Sequence, residues 1–116
     1  MPDRADFEQL VVEALDSLPE DIAAAMSNVE VVIEDEPPPS WGGGGTLLGL
    51  YHGIPLTDRH HYTNAMPDKI TIFRGPITRL ARTRDRIREQ VRRTVIHEIA
   101  HHFGIDDDRL DELGWS

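Results

Sequence analysis

The sequence predicts an α+β domain. Three observations carry that prediction: an apolar stripe of helical period near the N-terminus, β-branched runs of strand length in the middle, and a long amphipathic segment near the C-terminus. Phe7, Leu10, Val11, Ala14, Leu15 and Leu18 recur with the period of a helix and mark one buried face, which Pro19 closes. Glu20 to Met26 adds a further helical turn or two. Val29 to Glu34 is rich in β-branched residues and reads as the first strand, ended by Asp35-Glu36-Pro37-Pro38-Pro39-Ser40, because proline cannot serve a sheet ladder. Thr46 to Tyr51 and Ile54 to Leu56 read as a second strand broken at Gly53. Lys69 to Phe73 forms the third, with Ile70 and Ile72 on one face and Thr71 and Phe73 on the other. A long helix then runs from Thr83 or Asp85 to Phe103, its apolar arc made by Val91, Val95, Ile96, Ile99, Ala100 and Phe103. The expected architecture places the N-terminal and long helices on one side of a small mixed sheet of three or four strands, with a short C-terminal helix.

The 116 residues suit one domain with a single core, taken here as 1–116. There is no cysteine, so disulfides and thiolate metal sites are excluded and a reducing compartment is compatible. No signal-like apolar stretch opens the chain, and no run approaches the ~18 apolar residues of a membrane span. A soluble, cytoplasmic protein is expected. The formal net charge of -9 argues against general nucleic-acid binding, which needs clustered positive charge.

The chemistry concentrates in His97-Glu98-Ile99-Ala100-His101, extended by Gly104 and Asp107 into H-E-x-x-H-x-x-G-x-x-D. Residues four apart on a helix differ by only about 40° in direction, so His97 and His101 can grip one metal ion. Glu98 is rotated by roughly 100° from the first histidine, which leaves its carboxylate beside the ion, within reach of a water that the metal activates. A catalytic zinc site wants three protein ligands and one open position, and Zn2+ suits two imidazoles and a carboxylate. Asp107 is the candidate third ligand: Gly104 suits the left-handed position that ends a helix, after which the chain can turn back toward the histidines. Asp106, Asp107 and Asp108 could instead cap a short helix through Leu113, and Glu112 is a rival ligand. His102 points away from both histidines and suits a packing or rim position.

These residues resemble the zincin metallopeptidases, and in particular the minimal zincin-like family of small bacterial proteins, related to the metzincins. Leu48-Gly49-Leu50-Tyr51, Gly53-Ile54-Pro55-Leu56 and Lys69-Ile70-Thr71-Ile72-Phe73-Arg74-Gly75-Pro76 resemble that family's strand segments. The resemblance implies a minimal zincin-like fold, with His97, His101 and Asp107 as zinc ligands and Glu98 as general base. One departure is plain. The larger metzincins place a methionine turn after the third ligand, whereas Met1, Met26 and Met66 all precede it here.

The function expected is zinc-dependent hydrolysis of peptide bonds in a peptide or protein substrate. Such a substrate could pair with an exposed edge strand above the helix, for which Lys69 to Phe73 is the candidate. The alternative is a zinc-stabilised interaction module without catalysis, but a purely structural site has no need of Glu98. Arg79, Arg82, Arg84, Arg86, Arg88, Arg92 and Arg93 gather along and before the long helix, either as a solvated face, with Glu89 and Arg93 as an i,i+4 pair, or as a docking face for an acidic partner. Gly42 to Gly45 lacks the pattern of a phosphate loop and reads as a linker. His60, His61 and Tyr62 lie in a polar loop, where histidines are usually just solvated. So few residues follow Asp107 that an open cleft and feeble activity on general substrates such as casein are expected.

Overall fold

A computed structural model describes residues 3–38, 47–52 and 68–102, together with Asp108, Arg109 and Glu112. Helix α1 (Arg4–Asp16) starts where the Asp3 carboxylate accepts a hydrogen bond from the Asp6 amide at 2.8 Å, one of the amides that a helix start leaves unsatisfied. Its stripe buries Phe7, Leu10, Val11 and Ala14. Helix α2 (Glu20–Ala25) and one 3-10 turn (Met26–Asn28) lead into strand β1 (Val29–Glu34). Strands β2 (Gly49–His52) and β3 (Asp68–Phe73) follow, then helices α3 (Arg74–Ala81) and α4 (Arg84–His102). The class is α+β, as expected.

The sheet is mixed, in the order β1-β3-β2. β1 runs parallel to β3 from Val29 opposite Asp68 to Glu34 opposite Phe73, and β2 runs antiparallel to β3 from Gly49 opposite Ile72 to His52 opposite Lys69. The expectation that Lys69 to Phe73 lies at an edge is therefore wrong: β3 is the central strand, and β1 and β2 flank it. Period-two alternation reports which face a side chain takes and not which strand lies beside it. Burial of β3 on both faces, with Ile70 and Ile72 on one and Thr71 and Phe73 on the other, is the mark of its central place.

Helix α4 is the hub of the core. Its Ile87, Val91, Val95, Ile96, Ile99 and Ala100 join Phe7, Leu10, Ile70, Ile72 and Ile77 in one buried cluster. Each of these side chains larger than alanine contributes roughly 1.5–3 kcal/mol by leaving water. The helix starts at Thr83, whose hydroxyl accepts from the Arg86 amide at 3.2 Å and whose carbonyl accepts from the Ile87 amide at 2.8 Å. The second half is buried as the sequence predicts, with His97 and His101 exposed, but Ile87 and Val91 bury the first half as well, and Ile87 lies outside the predicted arc.

Helix α3 has no counterpart in the sequence reading. Arg74-Gly75-Pro76, grouped by resemblance with the strand segment from Lys69, instead opens a helix, and Pro76 sits in its first turn, where its missing N–H costs nothing. The usual glycine stop is also missing, since Arg82 itself takes the positive φ of 59° between α3 and α4. α3 is anchored to the end of β1. The Gly75 amide donates to the Asp35 carbonyl at 2.8 Å, Arg74 Nε to the Asp35 carboxylate at 2.9 Å, and Arg79 to both Glu36 oxygens at 2.8 and 3.1 Å. The Arg74 hydrogen bond holds the Asp35 carboxyl below its ordinary range, as Arg79 does for Glu36. A Cβ on Gly75 would fall 2.8 Å from the Asp35 carbonyl oxygen, so glycine is what permits this approach.

Candidate metal centre

The period of α4 turns Ile96, Ile99 and Ala100 into the core and leaves His97 and His101 exposed on one face. Their ring centroids lie 4.0 Å apart with planes inclined by 54°. Two imidazoles one turn apart are a chemically fitting pair of donors for zinc. Asp107 and Asp106 lie outside the described residues, and no group of three His, Asp or Glu side chains converges among the described ones. The rival Glu112 is exposed and ion-paired with Arg109 at 2.9 Å. His60, His61, Tyr62 and the Gly42 to Gly45 run also lie outside the described residues.

Glu98 is half-buried beside His97 in a cleft of about 370 Å³, walled on the other side by Leu47, Leu48 and Gly49. Burial pushes the Glu98 carboxyl above the ordinary carboxylate range, and the charge of His101 opposes that rise. A carboxylate of raised basicity, open to a cleft, can accept a proton from water held there.

Gly49 sets the width of this cleft. A Cβ there would lie 2.6 Å from Thr94 Cγ2 and 3.2 Å from the Thr71 carbonyl oxygen, so only glycine allows β2 to come this close to α4. Gly49→Ala is expected to cost about 1–3 kcal/mol through overpacking. Because most of the clash is with one methyl group, Gly49→Ala combined with Thr94→Ala should cost less than the sum of the two. Urea unfolding of the single and double variants measures this, and strict additivity would show that the two residues share no contact.

The sequence reading missed a second cluster, at the far end of the histidine pair. The Tyr51 hydroxyl donates to Asp68 Oδ2 at 2.5 Å, His102 Nε2 lies 3.8 Å from the same oxygen, and the His102 ring stacks on Tyr51 with centroids 4.1 Å apart. Asp68 is buried, so these polar neighbours offset its loss of water. The cluster ties the last turn of α4 to β2 and β3, next to His101. Only His102 was legible, as a packing or rim residue; the long-range approach of Tyr51 and Asp68 leaves no trace in local periodicity.

Residues 26–115 match the Zincin-like metallopeptidase family, and the chain belongs to that family. Among solved structures, the chain is similar to a conserved hypothetical protein from Thermus thermophilus, at 24% identity and a TM-score of 0.56, covering 88% of this chain and 94% of that one. That likeness bears on the fold. No curated protein matches the chain. No helix among the described residues is long and apolar enough to cross a membrane.

Proposed function

We propose that the protein is a cytoplasmic zinc-dependent metallopeptidase. The observation that carries this reading is the placement of His97 and His101 side by side on the exposed face of α4, with the half-buried Glu98 lining, together with His97, the cleft that Gly49 of β2 borders. His97, His101 and Asp107 would hold the zinc. When bound, zinc lowers the pKa of a water and polarises the scissile carbonyl. Glu98 takes the proton from the attacking water and returns it to the leaving amine. The edge strand bordering the cleft is β2, so an extended substrate would pair there and not with β3. The cysteine-free chain suits a reducing compartment.

Elemental analysis of variants tests the ligand set. His97→Ala, His101→Ala and Asp107→Ala are each expected to lose most of the zinc, with affinity falling by an order of magnitude or more. Asp106→Ala and Asp108→Ala should retain it. Equal loss from all three aspartate variants would make Asp107 a helix cap and not a ligand, and a folded, unsubstituted protein that takes up no zinc would remove the site altogether.

A further inference from the structure

Eight arginines lie on α3, α4 and the joint between them, but they are not equivalent in the fold. Arg88 pairs with Glu13 at 3.1 Å and with Asp85, Arg79 with Glu36 at 2.8 Å, Arg84 with Asp6 at 3.8 Å, and Arg92 with Glu89 at 3.7 Å. Arg88 and Arg79 so tie segments distant in sequence, whereas the longer pairs of Arg84 and Arg92 are as loose as that of Arg93 with the same Glu89, and what sets Arg93 apart is its position. Arg86 and Arg93 are placed differently. A second cavity, of about 200 Å³, lies between α3 and α4 and is lined by Leu80, Ala81, Arg86, Glu89, Gln90 and Arg93, two guanidinium groups against one carboxylate. Gln90 and Arg93 also line the cleft that holds His97 and Glu98. The two cavities therefore adjoin, and Arg93 stands at their junction.

Along the helix the stripe Arg86, Gln90, Arg93 and His97 repeats at spacings of four and three, which keeps it on one face. At about 1.5 Å per residue it is roughly 16 Å long, the reach of about five residues of extended chain. Arg93 lies about 6 Å before His97, or about two extended residues from a bond positioned at the metal. The outer end carries Leu80, a large apolar side chain left 61% exposed. Within the groove Arg93 has only a loose, solvent-exposed pair with Glu89, at 3.6 Å, and Arg86 makes no ion pair among the described residues. Pairs of that kind are worth little, and a ligand carboxylate can displace them.

Building on the peptidase reading above, we propose that this groove selects an acidic peptide: a Glu or Asp about two residues from the scissile bond lies against Arg93, and an apolar side chain farther out lies against Leu80. A bidentate guanidinium–carboxylate contact supplies the selectivity. The chain's net charge of -9 opposes an acidic ligand at long range, but at physiological salt the Debye length is about 8 Å and the contact pair outlasts that repulsion.

The test uses the full chain carrying Glu98→Gln, which keeps peptides intact, with fluorescent, end-blocked decapeptides of Ala, Thr and Leu that differ only in one central Glu, Gln or Lys. Anisotropy titration at about 0.15 M salt is expected to give binding about threefold tighter for Glu than for Gln and about tenfold tighter than for Lys. Adding Arg93→Glu should reverse the order, and adding Arg93→Ala, which brings no new charge beside Glu89, should flatten it. Equal affinities for the three peptides, undetectable binding of all of them, or an order unchanged by Arg93→Glu would overturn the proposal. A separate digest with the unsubstituted protein distinguishes the two readings: no cleavage with the binding order intact would remove the peptidase reading alone, whereas cleavage without charge preference would remove the groove's selectivity alone.

Discussion

Glu98→Gln is expected to reduce peptide hydrolysis by about 10²–10⁴-fold while zinc content and fold stay unchanged. The amide has nearly the size of the carboxyl it replaces, so the cleft beside His97 and Leu48 keeps its shape. What is lost is the ability to accept a proton as water attacks, and among the described residues no other carboxylate lines that cleft. Metal retention follows from direction: Glu98 is turned about 100° from His97 on the helix and is not needed as a donor. Stability should not fall either. Burial already disfavours the charged form of Glu98, so a neutral side chain there is no worse accommodated. Turnover of a peptide pool at the unsubstituted rate would show that the proton goes elsewhere, and loss of zinc from the variant would show that Glu98 is a ligand.

Ile99→Ala is expected to cost about 2–5 kcal/mol, the largest stability effect within the motif itself. Ile99 is 1% exposed and belongs to the central cluster, so its removal leaves a cavity between α4 and its neighbours. Against a typical domain stability of about 5–15 kcal/mol, this should lower Tm by roughly 10 °C or more. Zinc at about a hundred times its Kd should return about 2.7 kcal/mol, because it binds the folded chain. Thermal melts with and without zinc measure both effects. A loss under about 1 kcal/mol would mean that the face of α4 opposite the histidines is not held in the core.

Where the chain's pattern is local, the sequence was readable. The stripe from Phe7 to Ala14, the strands at Val29 to Glu34 and Lys69 to Phe73, and the long helix with its two histidines all express periods that one segment carries by itself. Order within the sheet was not readable, because the pattern along a strand reports its faces and not which strand lies beside it. Helix α3 was hidden because Gly75 and Pro76 are poor helix formers and were grouped with the strand before them, while the Asp35 carbonyl that anchors the helix start lies far away in sequence. The partition of the arginines between structural pairs and an open groove depends on Glu13, Glu36 and Asp6, each far away in sequence.

The position of β3 also constrains the order in which the molecule can assemble. Both neighbours pair with β3, and it is the last of the three strands to leave the ribosome. Among the described residues, β3 supplies the partner both for the 29–34 segment of β1 and for 49–52 of β2, so neither pairing is complete until residue 73 is available. Two loop closures of unequal length must then be completed around one strand, and such non-local pairing is slow compared with helix formation. Helix α4 follows β3 only after α3, so the segment bearing the histidines emerges later than the strand it packs on. During synthesis, therefore, α1 and β1 wait with their apolar faces uncovered, and the nascent chain is most exposed to aggregation before its zinc-binding helix has emerged.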